Sequence, residues 1–381
     1  MEPPTPSELR RRGGLKWTAF PDDVLAAWVA EMDFGLAPPI GAALHAAVDR
    51  HDTGYAYPDI ERAAAHAATR FWDDTLGWSV PEERVFPAPD VIEGIRRAII
   101  HLTRPETPVV LHTPVYFPFY SMVERAGREL IDVPCEQDAD GRYTLDLAGI
   151  DRAFADGAGS VVLCNPWNPT GRSFSRAEIE DLAEVAASYS ARIIADEVHS
   201  PLTHPGVVHT PGAAVAPDTV VTVTSASKAW NIPGLKCAQV VLTSDRDAEI
   251  WSDYFTPDKV GVSNLGLIAN AAAYADSRAW LDDVRGRLDA NRKLLDELSA
   301  RHLPRVVYRS PEATYLAWLD FRAYGIDDPA AFFLDEARVA VSAGRPFGRG
   351  GHGHARLNFA TSSAILKTIL ERMGSAVGDR T

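Results

Sequence analysis

An amide, a carboxylate and an amine follow three apolar runs in the middle of the chain. Val161-Val162-Leu163 leads into Asn165-Pro166-Trp167-Asn168-Pro169-Thr170-Gly171, and Ile193-Ile194-Ala195 leads into Asp196-Glu197-Val198-His199. The third run, Val220-Val221-Thr222-Val223, exits into Ser225-Ala226-Ser227-Lys228, followed by Pro233-Gly234. Asn168, Asp196 and Lys228 lie 28 and 32 residues apart, each interval close to one strand–helix–strand unit of about 30 residues. A lysine in such a small-residue turn can be desolvated, lose proton affinity and form a Schiff base with an aldehyde. Taken singly the residues say little. Most lysines are surface charges, an aspartate after a strand is ordinarily a helix cap, and an asparagine before proline is a turn residue. Together they meet along one carboxyl edge of a parallel sheet, where open α/β sheets bind ligands.

The elements that must position them follow from pattern. Val109–Leu111, Leu130–Val133, Ala238–Leu242 and the short Arg84–Phe86 read as further strands. Val91–Leu102, Tyr120–Ala126 and Leu145–Phe154 read as helices, the first offering backbone nitrogens at Val91 and Ile92 that suit a phosphate. Ser175-Arg176-Ala177-Glu178 is a capping box, opening a crossover helix with Ile179, Leu182, Ala183 and Ala186 on one stripe. Upstream, residues 1–20 read as an irregular arm, Pro38-Pro39 opens a helix, and Ile60–Leu76 forms another beyond the turn-rich stretch 52–58. Downstream, Asn264–Ala275 and Trp280–Ala300 are long helices. From Val306 the pattern changes to strand Tyr315–Phe321, helix Ala330–Ala337, strand Val339–Ser342, a glycine-rich loop 344–353 and Leu357–Phe359, a smaller α+β unit.

Bulk properties narrow the function classes. A length of 381 residues exceeds one ordinary core, and 46% hydrophobic with 24% charged residues is a soluble composition. A formal net charge of −14 counts against a nucleic-acid footprint or an anionic membrane surface. Cys135, Cys164 and Cys237 form no CxxC pair or Cys/His cluster, which suggests reduced thiols without a disulfide framework or metal site. Arg10-Arg11-Arg12 is followed by no apolar segment, so neither signal peptide nor anchor is expected and the expected location is cytoplasmic.

The chain resembles the fold-type I pyridoxal-phosphate enzymes, the class I/II aminotransferase superfamily, and within it the branch of cystathionine β-lyase-like C–S lyases. Trp28-Val29-Ala30-Glu31-Met32-Asp33-Phe34, Gly54-Tyr55, Thr113-Pro114-Val115-Tyr116, the 165–171 and 196–199 motifs, Ser225–Lys228 and Arg356-Leu357-Asn358-Phe359 carry the resemblance in one order. It implies an α/β fold whose large domain holds a mostly parallel mixed sheet, beside a smaller α+β domain. The implied division is an arm, 1–45, packing with the small domain, then 46–285 as the large cofactor-binding domain and 286–381 as the small one.

The resemblance also implies roles. Lys228 would tether pyridoxal 5'-phosphate and act as base, Asp196 would face the pyridinium nitrogen, and Asn168 would bond the phenolic oxygen. His199 could touch that oxygen or be a structural histidine, and Tyr116 would stack on the ring or serve only in the core. Ser225, Ser227 and Lys236, with Val91 and Ile92, would hold the phosphate. Tyr55 would complete a neighbouring subunit's site, implying a homodimer with shared active sites. Arg356 would grip the substrate carboxylate, near Ala30, Trp167 and Asn168. Three positions depart from the family pattern: Trp167 stands where many lyases have histidine, Asp90 replaces a glycine where phosphate meets a helix start and opposes phosphate unless it turns away as an N-cap, and Glu31 replaces an aspartate.

The implied activity is α,β-elimination from cystathionine or a cysteine S-conjugate, giving thiol, pyruvate and ammonia. Transamination, or elimination, decarboxylation or oxidation of a cysteine-conjugated natural product, would use the same Lys228 and Asp196. A non-catalytic regulator of the same fold is disfavoured, since no helix-turn-helix or long basic arm is attached.

Overall fold

The computed structural model describes residues 4–138, 142–254 and 261–378. In chain order its strands are β1 Leu25–Ala27, β2 Val85–Ala88, β3 Val109–Thr113, β4 Leu130–Pro134, a small hairpin of β5 Glu136–Gln137 and β6 Tyr143–Thr144, β7 Ser160–Cys164, β8 Arg192–Asp196, β9 Val220–Thr224, β10 Ala238–Val241, β11 Val307–Tyr308, β12 Leu316–Asp320, β13 Val339–Ala343 and β14 His354–Asn358. Among the described residues the larger sheet has seven strands in the order β2-β10-β9-β8-β7-β3-β4. From β9 to β4 every pairing is parallel, while β10 runs antiparallel to both β9 and β2. The mixed, mostly parallel sheet expected from the sequence is therefore present.

The central strands β3, β7 and β9 are buried along their whole length. Their valine-rich runs suit a sheet covered on both faces. The crossover helix Arg176–Ser188 begins with the expected box: Ser175 Oγ accepts from Glu178 N at 3.4 Å, and Glu178 Oε2 accepts from Ser175 N at 2.9 Å. It buries Ile179, Leu182, Ala183 and Ala186. The helix Val91–Leu102 lies against β9, and a Cβ at Gly94 would come within 2.8 Å of Val223 Cγ1. Only a glycine allows that approach, which brings the start of the helix over the sheet's carboxyl edge.

The second sheet has the order β1-β13-β14-β12-β11. Its edge strand β1 pairs in parallel with β13, Leu25 opposite Val339. Chain from both ends thus shares one sheet. The arm differs from the expected irregular segment: Pro6–Arg11 is a helix with a Thr5/Glu8 capping box and proline in its first turn, and Leu15–Thr18 is a short one. The box was legible, but six residues are too few for a periodic signal. Strand β1 and the helices Asp245–Tyr254 and Ser363–Val377 were also not anticipated. No helix among the described residues is long and apolar enough to cross a membrane.

Candidate active site

Register brings the three motifs together. Cys164 at the end of β7 lies opposite Asp196 at the end of β8, and Asp196 lies opposite Val223 of β9. Asn165 N donates to Asp196 O at 2.9 Å and Glu197 N to Val223 O at 2.9 Å, so the exits of all three strands are level. Asp196, Ser225, Ser227 and Lys228 line one cleft, joined by Val91 and Ile92 from the helix start, Tyr116 beyond β3, and Lys236.

The charged groups of this edge are poorly solvated. Asp196 accepts from Val198 N at 3.1 Å. Burial pushes its carboxyl up to about 7, against the opposing pull of that bond and of Lys228. Lys228 is brought down to about 8, first by burial and then by Arg356, while Glu31 and Asp196 act in the other direction. Its Nζ donates to Ala30 O at 3.1 Å. Desolvation disfavours charge in both groups, so they meet near neutrality, as acid–base chemistry requires.

Arg356 is buried on β14. Its Nη1 donates to Asn168 Oδ1 at 2.9 Å, and its Nη2 to Trp28 O at 3.0 Å and Ser342 Oγ at 3.1 Å. The guanidinium stands 5.1 Å from the Phe347 ring centroid. Its Nε has no hydrogen-bond partner, and burial lowers its proton affinity to about 10. A rigid, buried cation with an unmet donor suits a carboxylate guest. The same contact orients Asn168: its oxygen is taken, so its NH₂ is the end left to donate.

Around the helix start the arrangement is more self-contained. Asp90 caps the helix, its Oδ1 accepting from Glu93 N at 2.8 Å, and its Oδ2 accepts from Lys236 Nζ at 2.9 Å in an exposed pair. The departure at Asp90 is thus a cap that also engages the expected phosphate lysine. Ser225 Oγ donates to Cys237 O at 2.6 Å and accepts from Ser227 N at 3.0 Å, so its proton holds the turn.

The remaining expected residues divide. His199 is buried with its ring edge-on to Tyr315 at 5.9 Å and its Nδ1 unpartnered; burial drives its proton affinity well down, so it is a neutral imidazole. Trp167 turns into the core. Its Nε1 donates to Pro114 O at 2.8 Å, its ring stacks on Phe174 at 5.5 Å, and it does not line the cleft. Tyr55 is 90% exposed and does not reach this cleft.

Sequence reasoning missed the residues that hold the Trp28–Met32 segment over the site. Asn358 donates to Val29 O and Glu31 O, both at 2.7 Å, and Asn231 donates to Met32 O and accepts from Met32 N, both at 2.9 Å. Tyr315 donates to Ala30 O at 2.9 Å. A buried ion pair, Lys16 Nζ to Asp33 Oδ1 at 3.0 Å, anchors the segment from the arm side. The available signal was proximity: Asn231 and Asn358 follow Lys228 and Arg356 within three residues.

Comparison with known proteins places these features in context. Residues 23–373 match the family described as aminotransferase class I and II. The cystathionine beta-lyase of Corynebacterium glutamicum is 39% identical over 99% of this chain and 100% of its own. The cystathionine beta-lyase PatB of Bacillus subtilis is 33% identical over 93% of each. A solved structure described as a PLP-dependent beta-cystathionase of Corynebacterium diphtheriae superposes with a TM-score of 0.92, at 38% identity over 99% of both chains.

Proposed function

The chain belongs to the class I and II aminotransferase family, with its fold-type I architecture, and from that premise we propose that it is a pyridoxal-phosphate-dependent carbon–sulfur β-lyase. On this reading it cleaves cystathionine or another S-conjugate of cysteine to a thiol, pyruvate and ammonia. The observation that carries the reading is full-length likeness to cystathionine beta-lyases. The residues present fit the cofactor: a half-buried lysine, a buried carboxylate without a strong cationic partner, and a helix start meet in one cleft.

When bound, pyridoxal phosphate supplies an aldehyde that captures amines and a ring that absorbs the electron pair left at Cα. Lys228 provides the tether, and its amine, near 8, has enough neutral form at physiological pH to take the Cα proton. Asp196 would face the ring nitrogen, whose proton would keep it ionised and reverse the effect of its burial. Asn168 would donate its NH₂ to the phenolic oxygen, and His199 would be within the same site as a neutral imidazole. Arg356 holds the substrate carboxylate and fixes the Cα–H bond relative to Lys228. Proton loss at Cα and departure of thiolate from Cβ leave an aminoacrylate, which water converts to pyruvate and ammonia.

Ser227, Lys236 and the nitrogens of Val91 and Ile92 are assigned to the phosphate, and Tyr116 to the ring face. Lys236 must then share its charge with Asp90. In Asp90→Asn the side chain still caps the helix and the ion pair is gone. Affinity of the cofactor-free protein for pyridoxal phosphate is expected to rise about twofold to fivefold, the range of an exposed pair. Absorbance titration measures it, and unchanged or weaker binding would count against Lys236 as a phosphate ligand.

Tyr55 is assigned to a neighbouring subunit's phosphate in a homodimer, supported by its exposure. The division into 46–285 and a smaller unit of 1–45 with 286–381 is supported by the pairing of β1 with β13. Three unpaired cysteines suit a reducing, cytoplasmic setting.

The test is purified holoenzyme with L-cystathionine, assayed for free thiol and pyruvate together. Both products in equal amount are expected. Amino transfer to an added 2-oxo acid, with neither product, would move the assignment to an aminotransferase.

A further inference from the structure

Every backbone carbonyl from Trp28 to Met32 accepts a hydrogen bond from a side chain at the site. Ala30 O is shared by Lys228 Nζ at 3.1 Å and the Tyr315 hydroxyl at 2.9 Å. Tyr315 is completely buried at the head of β12. Burial raises its phenol far above its ordinary range, so it remains a donor at every working pH. A carbonyl oxygen has two lone pairs. The phenol occupies one and turns the other toward Lys228, while His199 packs edge-on against the phenol ring. The segment itself cannot drift, because Asn358 and Asn231 hold the carbonyls on either side.

A lysine that is tether in one step and base in the next must be released and then found in a defined place. Its four-carbon stem does not provide one. We propose that Tyr315 is a positioning residue: through the Ala30 carbonyl it docks the Lys228 amine whenever that amine is free of the cofactor. The proposal rests on the cofactor reading above.

Tyr315→Phe removes one oxygen and keeps the ring beside His199. In this variant kcat is expected to fall about tenfold to a hundredfold with KM changed less than about twofold, the scale of a misplaced reacting group. The cofactor-free variant is also expected to capture pyridoxal phosphate more slowly by a similar factor, followed by the absorbance of Lys228-bound cofactor, with an unchanged circular dichroism spectrum. A role in packing alone predicts wild-type values for both, and that result would overturn the proposal while leaving the enzyme assignment intact. Wild-type protein with no Lys228-dependent cofactor absorbance would overturn the assignment and the proposal with it. A measurement independent of the variant's folding is a crystal structure of wild-type holoenzyme carrying an unreactive amino acid. The displaced Lys228 Nζ on Ala30 O supports the proposal, and a displaced amine elsewhere refutes it.

Discussion

Lys228→Ala is expected to abolish covalent cofactor attachment and to lower β-lyase turnover by about 10⁴-fold or more, because tether and base are lost together. The effect on stability has the opposite sign. Lys228 has its amine lowered to about 8 by burial and Arg356, so the unfolded chain holds that proton more tightly than the folded one. Below pH 8 both states are protonated and the full burial cost is present. As pH rises from 8 toward the ordinary lysine value the cost disappears. The cofactor-free Ala variant should therefore be more stable than wild type at pH 7, with the gap closing at high pH. Thermal unfolding across pH, alongside an absorbance spectrum, checks both parts. A variant that still forms a covalent cofactor complex would remove Lys228 from its role.

Asp196→Asn is expected to lower kcat by about a thousandfold, since a neutral amide cannot hold the ring nitrogen protonated and the electrostatic stabilisation at Cα is lost. Substrate carboxylate binding through Arg356 is untouched, so KM should change little. Stability again moves the other way in the cofactor-free protein. Burial raises the folded-state carboxyl to about 7. The folded protein thus binds this proton where the unfolded chain has already released it. Below the ordinary aspartate value both states are protonated and there is no cost; between there and pH 7 the cost grows, and above pH 7 it is complete. Asn avoids it, by on the order of a few kcal/mol at pH 8. The expected signature is an Asn variant with a higher unfolding midpoint at pH 8 than wild type, and a smaller difference at pH 5. Pyridoxal phosphate should reverse the ranking, because the ring nitrogen gives the wild-type carboxylate its missing partner. An equal loss of activity and stability at pH 8 would mean that Asp196 is a structural carboxylate.

Much of the candidate site's edge is legible in the sequence. The apolar runs ending at Leu163, Ala195 and Val223 are too rich in β-branched and aliphatic residues to be anything but buried strands. Their spacing forced parallel pairing through crossover helices. Once the strands are parallel, whatever follows each run lands on the same edge, which is why the segments carrying Asn168, Asp196 and Lys228 leave the sheet side by side. The Ser175/Glu178 box and the helix Val91–Leu102 were legible because capping and 3.6-residue periodicity are local.

What the sequence could not supply is the direction of each side chain and the identity of partners far along the chain. Trp167 sits inside the most informative motif, yet its indole faces Pro114 and Phe174 because the core offers that ring an apolar slot and an acceptor. Asp90 reads either as an anion opposed to phosphate or as a helix cap, and the structure shows the cap on Glu93 N together with a pairing to Lys236 that the sequence does not announce. Tyr315 carried no signal at all, since its role depends on Ala30, 285 positions earlier. The sequence by itself determined the strand order's parallel core and the chemical groups at its edge, because those follow from local hydrophobic pattern and spacing. Only the tertiary structure decided how the Trp28–Met32 segment, Tyr315 and Arg356 close around Lys228, because hydrogen bonds between distant segments depend on packing that no local pattern encodes.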